Sequence, residues 1–385
     1  MTFAAQFRYT HDMVRNLGRI ELARGVIKLL PLPPDQAVFL RHRARFRSMM
    51  SSTAIEGNTL TDQESLRAIV RPDASQADMQ QERRNYWRAM EWIEKQSDAG
   101  RPVSEDFIRE LHCLIDVRGV GRRGRTSSYR TTECPIVDSS TGLIDYAPPK
   151  PRDVPHLMSS LMEWLRSAPA ADLPVPIRAG LLAHRFVSIH PFNDGNGRTA
   201  RALATSELWL GGCDMRGFLS LEEFYAGDRA RYYRSLQMGL PVDYYQGRQD
   251  PDHTVWLEYF VSMMAEAADL LRRTAEGMNL PRGGITTPWE ALNRQQQQLL
   301  NRVLMRLLSD EPEPNRIKPA EVSDWCGVSG NTAREWLRAW VNAGFIEPTT
   351  PGAERFRAYR LVPSWWTLVE EAARTTRDST SIRVG

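Results

Sequence analysis

Most of the chain spaces its apolar residues three and four positions apart, which is the pattern of amphipathic helices. Residues 35–55 and 82–96 follow this pattern, and Gly57 stands where the first of these helices would end. Arginines and a histidine between positions 41 and 47 lie opposite the apolar side chains. We interpret them as a solvated face, with a nucleic-acid patch as the minor alternative. The pattern predicts an N-terminal helical region over 1–100.

Helical spacing continues through the middle of the chain and is interrupted by two short β-prone runs. These runs, 134–137 and 144–147, flank a turn that contains Gly142 and therefore predict a β-hairpin. Around the hairpin, the spacing predicts helices over 104–116, 154–165, 176–189, 198–210 and 256–273. We expect these elements to form one helical core over 101–276.

The last hundred residues have a different organisation. A Gly- and Pro-rich stretch over 277–288 predicts a linker. Helices are predicted over 292–308, 320–326 and 331–343, followed by β-prone runs at 345–346 and 359–361. This order is typical of a winged helix-turn-helix domain, which we place at 289–364, with a polar tail over 365–385. The fold class predicted for the whole chain is mainly α.

Composition narrows the classes of function. Of the 385 residues 42% are hydrophobic and 25% are charged, as in ordinary globular proteins, and the net charge is only +3. This nearly equal number of basic and acidic residues argues against binding of the whole surface to nucleic acid or to a membrane. The four cysteines form no C-x-x-C pair, and no apolar run reaches the ~18 residues of a membrane span. We expect a cytoplasmic protein without a membrane partner.

Residues 190–201 read HPFNDGNGRTAR and form the segment of the chain richest in candidate functional residues. Proline after His190 ends a helix, and the Gly-Asn-Gly triplet tolerates the positive φ angles that turn backbone N–H groups toward an anion. The next helix adds its free N–H groups and the positive end of its dipole. Arg198 and Arg201 project from one side of that helix, which suits several phosphates. The string therefore predicts a phosphate-binding loop.

Two further residues of the loop add reactivity. Asp194 beside phosphates is a typical Mg²⁺ anchor, because Mg²⁺ keeps mostly water and phosphate oxygens as ligands. His190, with an unperturbed pKa near about 6.5, can act as a general base on a hydroxyl. A plain helix–loop–helix corner would explain the glycines but not the convergence of these charged groups.

The same string resembles, at every defining position, the signature H-x-F-x-[D/E]-G-N-G-R-x-x-R of Fic-domain proteins, and the wider resemblance covers about residues 35–275. It implies a Fic helical core with a β-hairpin flap. It also implies transfer of AMP from Mg-ATP to a Ser, Thr or Tyr hydroxyl of a protein, including the enzyme itself. By this resemblance His190 is the base and Asp194 holds Mg²⁺. The phosphate-binding residues that it implies are Gly195, Asn196, Gly197, Arg198 and Arg201.

A second motif resembles the inhibitory sequence [S/T]-x-x-x-E-[G/N] of the same family. Residues 52–57 read STAIEG, with Ser52, Glu56 and Gly57 at the defining positions. The resemblance implies that Glu56 pairs with Arg201. The carboxylate would then occupy the arginine that otherwise binds the γ-phosphate of ATP. A helix end capped by glycine would give the same short pattern. We expect low basal activity.

The hairpin and two tyrosines are assigned by resemblance as well. Tyr232 and Tyr233 fall where the family packs the adenine, although their spacing could equally place them in the core. The edge of the hairpin matches the flap that aligns an extended target segment by main-chain hydrogen bonds, and an ordinary surface hairpin is the alternative. The flap residues are Cys134, Pro135, Ile136 and Val137.

Two alternatives to the transferase stay open. The helix from Asn331 to Ala343 resembles a recognition helix, so the chain could be a DNA-binding regulator with the Fic core as nucleotide sensor. Against this, ten basic and nine acidic residues between 286 and 363 give only +1. The other alternative is a hydrolase that removes AMP. The expected partners are an unidentified target protein and a second copy of the chain, in a homodimer that hides or releases Glu56.

Overall fold

The computed structural model describes residues 3–30, 34–61, 64–65, 77–117, 126–137, 141–277, 292–308, 311–350, 358–367, 369–370 and 373. The chain divides into two compact units. The first unit comprises Met1–Leu32, Gln36–Thr59 and Asp78–Arg282, and the second comprises Pro33–Asp35, Leu60–Ala77 and Gly283–Gly385. Nearly all of the predicted linker over 277–288 and most of the tail over 365–385 lie outside the described residues.

Helices make up most of the first unit, together with short 3₁₀ turns at Pro151–Asp153 and Met215–Gly217. None of the helices in the described part of the chain is long and apolar enough to cross a membrane. The helices are α1 (His11–Leu29), α2 (Pro34–Ile55), α3 (Ala77–Asp98), α4 (Glu105–Ile115), α5 (Val154–Leu165), α6 (Ala168–Ala171), α7 (Val175–Ile189), α8 (Asn196–Leu210), α9 (Glu222–Gly227), α10 (Arg229–Gln237) and α11 (Thr254–Gly277).

The antiparallel helices α7 and α8 form the centre of this unit. Nearly every side chain of both helices is buried, because each is covered on all sides by its neighbours. Helices α5 and α11 pack on α7, and α1 runs along α11. Gly180 permits the close approach of α11, since a Cβ there would lie 3.1 Å from side-chain atoms of Leu257 and Phe260. The turn between α7 and α8 is thus carried by a rigid core.

The predicted hairpin is present but its strands are shorter than expected. Strand β1 (Ile136–Val137) pairs antiparallel with β2 (Ile144–Tyr146), with an irregularity in register between the two residues of β1. Both side chains of β1 are exposed, whereas Tyr146 at the end of β2 is buried. The hairpin therefore presents an apolar edge to solvent and is fixed at its base.

The prediction of a solvated arginine face on α2 is wrong for two of its members. Arg45 forms ion pairs with Glu91 and Glu94 of α3, and its side chain is only 11% exposed. Arg47 pairs with Glu223 at 3.0 Å. Helical periodicity identifies the polar side of a helix but not whether another polar helix packs on it. Charge pairing between α2 and its neighbours explains the partial burial.

The second unit contains α12 (Arg294–Leu308), α13 (Pro319–Cys326), α14 (Gly330–Asn342) and an antiparallel pair of strands, β3 (Ile346–Pro348) and β4 (Tyr359–Leu361). Gly327 ends α13 with a φ of 65°, and the hydroxyl of Ser329 caps α14. Leu337 and Trp340 of α14 are buried, whereas Trp336 and Val341 are half-buried.

The pKa values of four histidines predict how the stability of the protein depends on pH. Burial lowers the pKa of His112, His184, His190 and His253, the last two to about 4. Unfolding exposes these rings, so the unfolded state binds protons more readily below about pH 6.5. Stability should be fully present above that pH and decline as the pH falls toward 4, by up to about 1.4 kcal/mol per pH unit for each histidine.

Urea unfolding at pH 7.5 and pH 5 would measure this decline. His253→Asn removes one titrating ring and should reduce the difference between the two midpoints. His156→Asn serves as the control, because His156 is exposed and should leave the difference unchanged. Equal midpoints at the two pH values would contradict the prediction.

Candidate active site

The loop between α7 and α8 has an unusual backbone at both ends. His190 ends α7 in the left-handed region with a φ of 52°, and Gly195 precedes α8 with a φ of 74°. A non-glycine residue seldom adopts this conformation, so the surroundings must hold His190 there. Asn196 and Gly197 are already helical, which corrects the expected use of positive φ angles across the whole triplet. The loop therefore brings the free N–H groups of the α8 N-terminus to the site.

The side chain of Asn196 holds the loop together from inside. Its Oδ1 accepts a hydrogen bond from the backbone N–H of Phe192 at 3.0 Å, and its Nδ2 donates to the Phe192 carbonyl at 2.8 Å. Both side chains are buried. Because the amide is occupied in this way, the backbone N–H of Asn196, rather than its side chain, is the group suited to an anion.

His190 is held in the form of a base. Arg130 donates from Nε to the His190 carbonyl at 2.7 Å and from its backbone N–H to Pro191 at 2.9 Å. The His190 Nδ1 lies 3.3 Å from the Val187 carbonyl, which only accepts, so Nδ1 carries the proton and Nε2 keeps its lone pair. Burial lowers the pKa of His190 to about 4, although the bond to Val187 opposes this shift. The ring is therefore neutral at pH 7.

Asp194 is the acidic residue best placed for a cation. Its side chain is 55% exposed, and its Oδ1 accepts from the Gly195 N–H at 2.6 Å and from Arg198 at 3.2 Å. The described residues contain no group of three or more His, Cys, Asp and Glu side chains that could bind a metal alone. One accessible carboxylate fits Mg²⁺, which takes its other ligands from water and phosphates.

Arg201 is bound by Ser52 and Glu56 of the STAIEG segment. Its guanidinium donates to Glu56 at 2.7 Å, to the Ser52 carbonyl at 2.8 Å and to the Ser52 hydroxyl at 2.9 Å. Burial lowers the pKa of Arg201, but the Glu56 carboxylate together with Tyr232 and Tyr86 more than offsets this, so the pKa is raised. A Cβ on Gly197 would lie 2.5 Å from Glu56 Oε1, so the carboxylate rests against the first turn of α8. Gly57 follows with a φ of 96°, as a helix-ending glycine should.

Arg198 is also paired with a carboxylate from the N-terminal helices. Its NH1 lies 2.6 Å from Glu82 Oε1, and the arginine is almost fully buried. The second oxygen of Glu82 accepts from the side-chain amide of Asn58 at 2.6 Å, two residues beyond Glu56. Both arginines of the motif are thus paired with acidic residues of this chain.

Sequence reasoning missed Glu82, Asn58 and His112. His112 lies on α4, where its ring bonds to the Asp194 carbonyl and stacks on Phe192. The sequence pattern could have identified His112, because it is a histidine among the apolar residues of the buried helix face, which include Leu111 and Ile115. Glu82 and Asn58 gave no such signal, since single polar residues are common on exposed helix ends.

The two tyrosines predicted at the nucleobase occupy different environments. Tyr232 is buried among Tyr225, Tyr259 and Trp256, and its hydroxyl lies 3.5 Å from Arg201 NH1. The structure therefore packs this ring in the core, which is the alternative that its spacing left open, and its role at the nucleobase stays a prediction. Tyr233 is half-buried, so its nucleobase role stays a prediction.

The flap residues lie beside the loop. The Cys134 thiol contacts the Asn193 carbonyl at 3.4 Å and is half-buried. Pro135, Ile136 and Val137 are exposed. An exposed apolar strand beside the loop between α7 and α8 is suited to pairing with an extended segment.

Comparison with known proteins identifies relatives of this region. The family model described as Fic/DOC family matches residues 102–208. The protein adenylyltransferase Fic of Nematostella vectensis is 30% identical over 205 residues, which cover 51% of this chain and 45% of that protein. A probable protein adenylyltransferase of Aquifex aeolicus is 25% identical over 168 residues, which cover 42% of this chain and 50% of the relative. The chain thus spans about half the length of these curated relatives.

Solved structures share the fold. A Fic family protein from Desulfovibrio desulfuricans matches with a TM-score of 0.58 and 23% identity, over 94% of this chain and 99% of that one. A Fic domain-containing signalling protein from Bacteroides thetaiotaomicron matches with a TM-score of 0.56 and 23% identity, over 70% of this chain and all of that one. Residues 102–208 therefore match the Fic/DOC family model, and proteins named protein adenylyltransferase Fic are among the relatives of this chain.

Proposed function

We propose that the protein transfers AMP from Mg-ATP to a Ser, Thr or Tyr hydroxyl of a protein, itself included, and that Glu56 inhibits this reaction. One observation carries the proposal. The Glu56 carboxylate binds Arg201 and rests on the first turn of α8, at 2.5 Å from the Cβ position of Gly197. A helix N-terminus flanked by arginines is an anion site, and here an anionic group of the chain itself fills it.

The arrangement of the motif supports binding of a polyphosphate. The first N–H groups of α8 point to one region, and Arg198 and Arg201 flank it from the same helix. Both arginines are held at fixed positions by their ion pairs, so little side-chain entropy remains to be lost when a phosphate replaces a carboxylate. Relatives named protein adenylyltransferase support transfer of an adenylyl group, for which we propose ATP as the donor.

The proposed chemistry needs one base and a neutralised leaving group. His190 Nε2 takes the proton of the target hydroxyl, and the hydroxyl oxygen attacks the α-phosphorus of ATP. The new O–P bond forms as the bond to the bridging oxygen breaks, and pyrophosphate leaves. Mg²⁺ at Asp194 would neutralise charge on the phosphates. Arg130 and Val187 keep the imidazole in place, which is the positioning that this class of transfer requires.

Inhibition by Glu56 follows from competition for Arg201. The γ-phosphate and the Glu56 carboxylate are both anions suited to the same guanidinium, so ATP must displace Glu56 or bind without that contact. The Glu56 side chain is 32% exposed and Arg201 is 3% exposed, so the pair is only partly screened by water. Breaking such a pair costs about 1–3 kcal/mol. A target protein, or a second copy in a homodimer, would modulate activity by releasing or covering Glu56.

A second function is proposed for the C-terminal unit. Its order α12, α13, α14, β3, β4 supports a winged helix-turn-helix domain. Asn331, Arg334 and Arg338 are exposed and lie three and four residues apart on α14, so they share one face of the helix. Such a face fits DNA as its ligand, and the Fic core would then serve as a nucleotide sensor.

The first prediction concerns the switch. Glu56→Gly removes the carboxylate from Arg201, so labelling of the protein by α-labelled ATP with Mg²⁺ should rise about tenfold to a hundredfold. Intact mass should show addition of AMP. Ala54→Gly is the matched control, because Ala54 is an exposed residue of the same last turn and its substitution keeps the Glu56 carboxylate. Equal labelling of wild type and Glu56→Gly would contradict the inhibitory role.

The second prediction concerns the base. His190→Ala in the Glu56→Gly background should reduce AMP transfer at least about a hundredfold. His156→Ala, on the exposed side of α5, should leave it unchanged. Because the pKa of His190 is lowered to about 4, activity of the parent variant should stay level from about pH 8 to pH 6. A loss of half of the AMP-transfer activity near about pH 6.5 would contradict the assignment of His190 as the base.

The third prediction concerns α14. Mobility shift of promoter DNA at low salt should be lost with Arg334→Ala and retained with His190→Ala, since only the former alters the exposed face. Arg316→Ala removes an exposed arginine of the same unit that pairs with Glu313 and should change the shift little. The absence of any shift at low salt would rule out the DNA-binding function.

A further inference from the structure

A buried histidine outside the signature motif touches the loop at its reactive end. His112 on α4 is 4% exposed. Its Nε2 lies 2.8 Å from the Asp194 carbonyl oxygen, and its Nδ1 lies 2.7 Å from the Ser127 hydroxyl. Both ring nitrogens are therefore used, one by the loop and one by the segment that leads to the flap.

The direction of these hydrogen bonds is fixed by chemistry. A carbonyl oxygen only accepts, so His112 Nε2 must donate to Asp194 in either protonation state of the ring. The hydroxyl of Ser127 can donate or accept and adapts to the other nitrogen. The direction of the hydrogen bond to the loop is therefore known, although the protonated ring nitrogen of a histidine usually has to be inferred.

Packing restricts the ring as strongly as the hydrogen bonds do. His112 stacks on Phe192 with 3.6 Å between ring centroids and 16° between planes. A Cβ built on Gly195 would lie 3.4 Å from His112 Nε2, so the ring also closes on the left-handed residue that precedes α8. His112 thus contacts three residues of the loop, Phe192, Asp194 and Gly195.

We propose that His112 is a positioning residue for AMP transfer, an inference that rests on the proposed function. The hydrogen bond from His112 fixes the main chain of Asp194. The main chain in turn sets the direction of the Asp194 carboxylate, which is suited to Mg²⁺, and of the first N–H groups of α8. Arg130 holds the His190 end of the same loop. The base and the metal-binding acid are thereby held from two separate segments of the core.

The test uses the full chain in the Glu56→Gly background. His112→Phe retains an aromatic ring against Phe192 and removes both hydrogen bonds, and His112→Gln offers an amide that can again donate to Asp194. Ser127→Ala removes only the second bond. Four quantities are measured on each variant: kcat and KM for ATP, the Mg²⁺ concentration for half-maximal rate, the thermal midpoint, and hydrogen exchange of the peptide over 190–197.

If His112 positions the loop, His112→Phe lowers kcat at least about tenfold and raises the Mg²⁺ requirement, while KM for ATP and the thermal midpoint change little. Exchange at 190–197 rises while that of α7 stays unchanged. His112→Gln recovers part of kcat, and Ser127→Ala loses less than His112→Phe. An unchanged kcat and Mg²⁺ requirement would overturn the proposal. So would a loss that follows the thermal midpoint without rescue by glutamine, since that is the behaviour of a merely structural histidine.

Failure of the proposed function has a separate result. In that case the Glu56→Gly parent transfers no AMP, whatever residue stands at position 112. The exchange measurement then still decides whether His112 holds the loop, because it needs no nucleotide. Unchanged exchange at 190–197 in His112→Phe would show that the ring does not fix Asp194.

Discussion

The ion pair between Glu56 and Arg201 organises the site. Arg201 is buried in the first turns of α8, and a buried guanidinium needs a partner for its charge. Glu56 supplies it from the end of α2, Ser52 accepts from Nε and NH2, and the Tyr232 hydroxyl lies 3.5 Å from NH1. A phosphate is the other anion that this position suits. Arg198 forms a similar ion pair with Glu82, so both arginines are paired with carboxylates of the same chain. The proposed inhibition and the neutralisation of the buried arginines thus depend on one arrangement of charge.

The loop beneath these arginines keeps its shape because several independent bonds restrain it. Asn196 ties the two ends of the turn together, Arg130 holds the carbonyl of His190, and His112 holds the carbonyl of Asp194. These restraints allow a histidine to remain in a left-handed conformation. They also explain why the loop can present a base, a carboxylate and free N–H groups together. Chemistry that depends mainly on positioning needs such a frame.

Much of this arrangement could be predicted from local sequence. Helix bounds near α5, α7 and α8 followed from apolar spacing and from proline and glycine at the ends, since these effects act within one turn. The pairing of Glu56 with Arg201 followed from a resemblance and is present in the structure. Other features depend on contacts distant in sequence. Glu82 meets Arg198 across more than a hundred residues, and Tyr232 becomes buried through packing with α11, neither of which a local pattern records.

The central claim is that Glu56 occupies the position of the γ-phosphate at Arg201. Calorimetric titration of wild type and Glu56→Gly with ATP and with ADP, both with Mg²⁺, measures this most directly. If the account is right, removal of the carboxylate strengthens ATP binding by about tenfold or more and changes ADP binding much less, because only ATP carries the competing group. Equal strengthening of both nucleotides, or of neither, would contradict it.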